Sequence, residues 1–448
     1  MHFSIKKGLD LPLSGQPKQT IDDSKTVTSV ALLGEDYHGM KPTMLVNEGD
    51  IVKLGQPLFS DKKNPGVQYT SPGAGRVRQI KRGNKRRFQA IIIDLEGNDA
   101  ITFSSYPAEQ LFTLSPQQIS QQLLESGLWT AFRTRPYSKV PLANTLPHSI
   151  FVTAIDTQPL AADPNVILTQ YQQAYQYGLT VLSQLTKGKV HVCQNVAAQP
   201  LSALPENIEA HSFSGPHPAG LPSTHIHFIE PVNSDKTVWQ IHYQDVIAIG
   251  KLFTTGQLWV DRIIAIGGPL VHRPRLVLTR LGACTTELLQ DEIPNVQARI
   301  VSGSVLSGHE ANNWAAFLGR FHHQISVIKE GSEREFMGWI MPGANKFSKL
   351  NIFISRLLGK KSFDLTSSQN GSPRAMVPIG VFETVMPLDI LPTQLLRALL
   401  VKDTDTAQAL GCLELEEEDL ALCSFVCSSK VDYGPILRAN LTQIEKEG

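Results

Sequence analysis

Hydrophobic positions along the chain follow several distinct rhythms. Between residues 25 and 99 they come in short runs separated by turn signals. Glu48-Gly49-Asp50 and Lys53-Leu54-Gly55-Gln56 are turns around a strand begun by Ile51 and Val52, and Thr70-Ser71-Pro72-Gly73-Ala74-Gly75-Arg76-Val77 feeds another strand. At Ser149 the rhythm changes. Ile150 to Ile155 is a continuous apolar run, as in a buried parallel strand. Asp163-Pro164 then supplies an N-cap and a first-turn proline, and Ile167, Tyr171, Ala174, Tyr175, Gly178, Leu182 and Leu185 recur at helical steps. Gly188 closes that helix and Val190-His191-Val192-Cys193 is the next strand, a βαβ unit that predicts Rossmann-like α/β structure. Arg262–Pro269, Arg275–Thr279, Val296–Val305 and Gln324–Lys329 read as strands around a helical stretch at Asn312–Leu318, which suggests a β-grasp module. Helices are expected at Thr393–Leu400, Thr404–Leu410 and Glu416–Val426.

The 448 residues leave room for three or four domains at roughly 150 residues each. The boundaries expected are 1–105 (barrel), 106–258 (α/β), 259–335 (β-grasp) and 336–448 (helical). The 41 Lys and Arg balance 41 Asp and Glu, which argues against a nucleic-acid binder, since those carry a basic excess. A membrane span needs about 20 uninterrupted apolar residues. The best stretch, Val246 to Val271, is interrupted by Lys251, Asp261 and Arg262. The first residues lack an apolar signal core, and five thinly spread cysteines fit a reducing compartment. A cytoplasmic chain without a span is therefore expected.

The N-terminal spacing G-D-x-V-x-x-G-x-x-L, then S-P-x-x-G-x-V, resembles the barrel-sandwich hybrid of biotinyl and lipoyl carriers. A lipoyl carrier displays a lysine on a tight hairpin tip, and Asp61-Lys62-Lys63 lies near that place. Asn64-Pro65-Gly66 adds a further turn, however, which favours a scaffold without a prosthetic group. The cationic run Lys81 to Arg87 is expected to be a solvated hairpin tip, with contact to anionic lipid as the alternative. The α/β unit lacks a G-x-G-x-x-G or Walker-type loop. The one G-x-G, Gly73-Ala74-Gly75, has no helix after it, so nucleotide-binding chemistry is missing.

Longer strings carry a second resemblance. Glu125-Ser-Gly-Leu-Trp-Thr-Ala-Phe-Arg-Thr-Arg-Pro-Tyr-Ser-Lys-Val-Pro141, Gly34-Glu-Asp-Tyr-His-Gly-Met-Lys-Pro-Thr43 and Ser214-Gly-Pro-His-Pro-Ala-Gly-Leu221 resemble the A subunit of the sodium-translocating NADH:quinone oxidoreductase. So do Thr279-Arg-Leu-Gly-Ala283, Met386-Pro-Leu-Asp-Ile-Leu-Pro392 and Cys423-Ser-Phe-Val-Cys427, across nearly the whole chain. The resemblance implies a peripheral subunit on the cytoplasmic face of the bacterial inner membrane, partnered by the membrane-spanning subunits. The complex uses NAD, flavins, an iron–sulfur cluster and Na+ to reduce ubiquinone. It also implies the barrel, α/β, SLBB-type β-grasp and helical domains shared with the flavin-bearing subunit of complex I and the C subunit of the Rnf complex. In those relatives S/A-G-L precedes a glycine-rich flavin stretch. Here Ser126-Gly127-Leu128 is followed by Trp129, Phe132, Arg133 and Arg135, whose bulk argues against a flavin.

A quinone head group needs an apolar or aromatic slot and donors near its two carbonyl oxygens. Trp129, Phe132 and Tyr137 are candidates for the slot, and Arg133, Arg135 and Lys139 for the donors. The alternative is a packed former nucleotide site with its arginines paired to acids. Histidines cluster at His211, His217, His225 and His227. His225 and His227 alternate on an expected strand, Thr224 to Ile229, so both point to one face. Without a carboxylate or cysteine at ligand spacing, no metal is expected; His217 and His225 are instead candidate quinone donors. Cys412, Cys423 and Cys427 fall short of the four thiolates that a cluster requires. No catalytic residue and no tightly bound cofactor are expected. Ubiquinone is the one small molecule anticipated, and a non-catalytic assembly scaffold is the alternative function.

Overall fold

The computed structural model describes residues 1–199, 204–333, 337–338, 340–359 and 361–447. The expected boundary at 335/336 therefore lies outside the described residues.

Alternating apolar residues build the N-terminal barrel. Ser29–Leu33, Phe88–Leu95, Gly75–Arg82 and Ile51–Val52 form one antiparallel sheet; Pro42–Met44, Pro57–Asp61 and Gln68–Thr70 form another. The inward set includes Val30, Leu58, Phe59, Tyr69, Ile91 and Ile93, all buried, with Phe59 stacked on Tyr69 at 4.6 Å. The Asp61–Gly66 tip is docked rather than displayed. Buried Asn64 donates to the Pro141 carbonyl at 2.8 Å and accepts from the Ala143 amide at 3.0 Å, while Lys62 and Lys63 remain exposed. In the cationic run, Arg82 and Lys85–Arg87 are exposed.

The α/β sheet runs in spatial order His2–Ser4, Ile208–Ser214, Val190–Asn195, Ile150–Ala154, Val238–His242, Arg133–Arg135. All pairings are parallel except the last, an antiparallel edge. Gln172–Leu185 and Tyr243–Thr255 are neighbouring helices. A Cβ on Gly178 would sit 2.0 Å from the Val246 carbonyl oxygen, and one on Gly250 would sit 1.8 Å from that of Ala174. Two glycines are thus required for the helices to cross this closely. Pro222–Ile229 belongs to a separate apolar cluster through buried Ile226, which includes Phe151, Cys193 and Phe213.

The β-grasp sheet has the order His309–Glu310, Ala298–Ser302, Gln324–Lys329, Asp261–Gly267, Arg275–Arg280, Lys18–Asp22. The C-terminal domain packs Phe382–Val385, Pro392–Val401, Thr404–Ala409, Ala421–Val426 and Gly434–Glu447 around Leu395, Leu399, Leu420, Leu437 and Leu441.

Several expectations change. Two strands within the range expected for the barrel domain pair outside its sheets: His2–Ser4 with Ile208–Ser214 and Lys18–Asp22 with Arg275–Arg280. This leading segment covers open sheet edges of two other domains. The helix expected from 163 to 185 is two helices, Pro164–Gln170 and Gln172–Leu185, separated at Tyr171, whose ring receives the Lys251 ammonium at 4.5 Å. Thr224 to Ile229 is helical, not extended, because Pro222 starts a helix whose Ile226 and Ile229 pack into a core. Asn312–Leu318 contains only the 3-10 turn Asn313–Ala315, and Glu416–Val426 divides into the 3-10 turn Glu417–Leu420 and the helix Ala421–Val426. The Val246–Val271 stretch is most of the helix Tyr243–Thr255 followed by the β-grasp strand Asp261–Gly267. No helix of the described residues is long and apolar enough to cross a membrane.

One buried cluster joins three of these units. Asp245, in the first turn of Tyr243–Thr255, accepts from Arg262 Nη2 at 2.5 Å and from both terminal nitrogens of Arg320 at 2.9 and 3.2 Å. The Arg320 amide in turn donates to Asp36 of the barrel at 2.8 Å. Burial would raise the Asp245 carboxyl, but Arg320 and Arg262 outweigh it and hold it below its ordinary value. Asp245→Ala leaves two buried guanidinium groups without their acid and is expected to cost about 3–5 kcal/mol in chemical denaturation. The depressed carboxyl gives a stabilisation present above the ordinary carboxylate range and lost as pH falls. The wild-type advantage over Asp245→Ala therefore shrinks in acid.

Candidate functional site

The α/β sheet carries its ligand-sized crevice where parallel sheets usually do, outside the carboxyl ends of the strands. The loop after the central Ile150–Ala154 strand, Asn195 at the end of the next strand, and Asp10, Gln16 and Gln19 from the leading segment enclose a cavity of about 370 Å3. Its walls are organised by short-range hydrogen bonds. Asp156 accepts from the Gln158 amide at 2.8 Å, and Asp163 caps Pro164–Gln170 through the Asn165 amide at 3.0 Å. Gln19 braces the same loop, accepting from the Asp163 amide at 2.8 Å. Burial pushes the Asp156 carboxyl up to about 6, and the single backbone hydrogen bond does not offset it. Thr157 Oγ1 accepts from the Gly220 amide at 2.9 Å and meets His217 Nδ1 at 3.1 Å. Burial lowers His217 to about 4, so this histidine is neutral at pH 7. Its Nε2 has no partner among the described residues.

The sequence-predicted slot lies elsewhere and is filled by the protein itself. Trp129 and Phe132 are fully buried and form an aromatic cluster with Trp239, with ring centroids 5.1–6.0 Å apart. Trp129 Nε1 donates to the Pro141 carbonyl at 3.0 Å. Arg133 stacks over Phe321 at 4.5 Å and donates to Glu416 at 2.9 Å; Arg135, fully buried, reaches the other oxygen of Glu416 at 2.5 Å. Ser138 Oγ completes this shell at 2.6 Å. Tyr137 packs against the helical domain's core, and Lys139 pairs with Glu445. His225 is buried, with Nε2 on the Ala219 carbonyl at 3.0 Å, whereas His227 meets Glu414 at 2.8 Å. The helix thus sends these two histidines to different partners. Of the predicted set, His217 alone approaches the crevice; Arg133, Arg135, Tyr137 and Lys139 fasten the helical domain. Sequence patterning does not single out Asp156, Thr157 and Gln158. Their only signal is their place directly after the apolar run at 150–155.

Ser126, Gly127 and Leu128 border a second cavity of only about 50 Å3, with Tyr37, Tyr69 and Arg320. Ligand pockets generally occupy roughly 300 Å3 or more, so a flavin ring system does not fit there. Cys412, Cys423 and Cys427 are buried in the helical core, and burial pushes the Cys412 and Cys423 thiols up to about 12. Such thiols stay protonated and are poor cluster ligands.

A barrel-sandwich module, an α/β sheet, a β-grasp sheet and a helical domain, fastened by buried ion pairs, define a class of multi-domain subunit. Three family models match in the same order: the NqrA N-terminal barrel-sandwich hybrid domain over residues 3–96, the NqrA second alpha/beta domain over 114–258, and the NQRA C-terminal domain over 263–313. The A subunit of the Na(+)-translocating NADH-quinone reductase of Pseudomonas aeruginosa (strain UCBPP-PA14) is 59% identical over 446 residues, covering 100% of both chains. Its counterparts in Cellvibrio japonicus (strain Ueda107) and Yersinia pestis are 59% and 55% identical at the same coverage. A crystal structure of NAD+-reducing [NiFe]-hydrogenase in the air-oxidized state gives a TM-score of 0.36 at 14% identity, over 50% of this chain and 49% of that one, too low to carry an argument. The chain belongs to the NqrA family, the A subunits of the Na(+)-translocating NADH-quinone reductases. It is one subunit of an oxidoreductase complex, whose other subunits are its partners.

The Glu416 clamp yields a prediction. Burial would raise this carboxyl, but Arg133 and Arg135 hold it well below its ordinary value of 4.5. Its contribution is therefore complete above that value and lost as pH falls. Amide-exchange protection of Gly434–Glu447 is expected to drop in acid, and Glu416→Ala is expected to lower it already at pH 7, by about 3–5 kcal/mol.

Proposed function

We propose that this chain is a peripheral subunit on the cytoplasmic face of the membrane, and that it serves the quinone-reduction end of the complex. The quinone head group would sit in the crevice at the carboxyl end of the α/β sheet. The observation that carries this reading is the crevice itself: about 370 Å3, within the range of small-molecule sites, with Asp156 held near 6 at its wall. Quinone reduction takes up two protons, and a carboxyl with a pKa near neutrality exchanges protons efficiently at working pH. Thr157 and Gln158 line the same loop, and His217 stands behind Thr157. Within this reading Trp129, Phe132 and His225 pack the core, and Arg133, Arg135 and Tyr137 dock the helical domain, none of them lining the quinone crevice. We further infer that the chain holds neither flavin nor iron–sulfur cluster. The 50 Å3 cavity beside Ser126-Gly127-Leu128 and the protonated thiols of the helical core support that inference.

Titration of the full chain with a short-chain ubiquinone is expected to show saturable binding. Thr157→Val and Gln158→Ala each remove a polar partner and are expected to weaken binding about 5- to 30-fold. In the assembled complex, Asp156→Asn is expected to shift the pH profile of quinone reduction without changing NADH oxidation by an artificial acceptor. Absence of saturable binding would instead favour a non-catalytic scaffold, to which the pairing of Arg133 and Arg135 with Glu416 also points. Deletion of the chain would then abolish assembly, with no quinone effect from any crevice variant. A visible flavin absorbance in the purified chain would overturn the cofactor inference.

A further inference from the structure

At the opposite, amino-terminal end of the same parallel strands lies a cluster that the quinone reading does not use. Val190–Asn195 and Ile208–Ser214 pair in register, with His191 opposite Glu209. Registered neighbours in a parallel pair share a face, and so do residues two apart on one strand. His191, Glu209 and His211 therefore project together. His191 Nδ1 and His211 Nε2 are 3.1 Å apart, and Glu209 Oε2 lies 3.7 Å from His211 Nε2 and 4.0 Å from His191 Nδ1. Three ligand atoms around a tetrahedral ion with bonds of roughly 2.0–2.2 Å are separated by about 3.4 Å. The observed triangle brackets that value.

The groups around this triangle also suit a cation. Lys189 holds Glu209 Oε1 at 3.0 Å and leaves Oε2 facing the imidazoles. Glu230 Oε2 stands 3.5 Å from His191 Nε2. A carboxylate on the outer ring nitrogen takes its N–H and turns the lone pair of the other nitrogen inward, the usual arrangement behind a ligating histidine. His148, 2.8 Å from the second oxygen of Glu230, fixes that carboxylate. His191 and His211 are buried at 5% and 3% exposure, so a bound ion would be shielded from solvent on the imidazole side. Without an ion, His211 Nε2 donates to the His191 Nδ1 lone pair; His211 Nδ1 has no partner among the described residues, so the proton can move there and free Nε2 for the ion. The Glu209 side chain is 43% exposed, which leaves a fourth position open to water.

We propose that His191, Glu209 and His211 form a binding site for one divalent transition-metal ion of the zinc class, with Glu230 as the outer-sphere carboxylate and water completing the shell. Two imidazoles and a carboxylate select such an ion over calcium or magnesium, which require all-oxygen shells. The site is separate from the crevice. His191 is the second residue of its strand and Asn195 the last, about 13 Å apart along the backbone. Its place in the fold gives it the role of tying two parallel strands together at their amino-terminal ends. Glu209 and His211, two residues apart, share one face of their strand, and the sheet adds the third ligand by bringing His191 from another strand.

The test uses the full chain, stripped with a chelator and then titrated with Zn2+ against a chromophoric competitor and with Co2+ by visible absorption. One equivalent is expected to bind, with a d–d spectrum typical of four- or five-coordinate Co2+ and a rise in thermal midpoint on adding Zn2+. Glu209→Gln, at a partly exposed position, is expected to weaken Zn2+ binding at least about tenfold. The His191→Ala/His211→Ala double variant is expected to lose the Co2+ band and the thermal shift, while His272→Ala, an exposed histidine elsewhere, keeps both. Should the double variant not fold, the Co2+ spectrum and affinity of Glu209→Gln decide alone. No stoichiometric binding, or binding unchanged by Glu209→Gln, overturns the proposal.

Discussion

Asp245 is the point on which the arrangement of the first three units depends. A single carboxylate, almost without solvent contact, receives Arg262 and both arms of Arg320, and Arg320 extends to Asp36 through its own amide. Removing charges from water costs several kcal/mol per ion, repaid only when geometry is close and the remaining donors are satisfied. The bidentate Arg320 contact supplies the close geometry, and Gln244 beside it both donates to the Ile263 carbonyl and accepts from its amide, while Arg262 Nε has no partner among the described residues. Barrel, α/β sheet and β-grasp sheet are consequently held in one relative orientation. The crevice, built from the leading segment and the α/β sheet, inherits that rigidity.

The helical domain is attached by a second use of the same chemistry. Glu416 collects Arg133, Arg135 and Ser138, Glu417 collects Arg438 in a bidentate pair, and Glu418 takes Gln158 and Ser307. Burial and the adjacent Glu416 charge push Glu418 up to about 8, so it joins as a neutral acid beside an ionised one. Gln158 links this acidic turn to the crevice loop. Docking of the helical domain and the shape of the crevice are thereby mechanically connected.

Much of the local structure is legible in the sequence. The apolar run at 150–155, the Asp163-Pro164 cap and the turns at Glu48-Gly49-Asp50 and Gly55 specify their elements through short-range patterning, and these form where expected. Thr224–Ile229 reads as a strand because six residues of mixed polarity satisfy both periods; the core around Ile226 and Phe213 decides for helix. The aromatic and cationic signature from Trp129 to Lys139 is conspicuous for its residue types. What those types do depends on whether Glu416, nearly 300 residues later, comes to meet them.

Composition and spacing by themselves determined the succession of modules, the absence of a phosphate loop in the α/β unit and the lack of an uninterrupted apolar span. Those are properties of neighbours in sequence, set by backbone sterics and by the period of hydrophobic burial. Only the tertiary structure decided which residues enclose a cavity and which merely fasten domains. It seated Trp129 and Phe132 in a core, aimed Arg133 and Arg135 at an acid, and opened a crevice beside Asp156 instead. It also set His191 against Glu209 and His211 across two parallel strands. The physical reason is the same in each case. Burial and pairing of a polar or aromatic side chain are settled by partners that parallel sheets and interdomain ion pairs bring from distant parts of the chain.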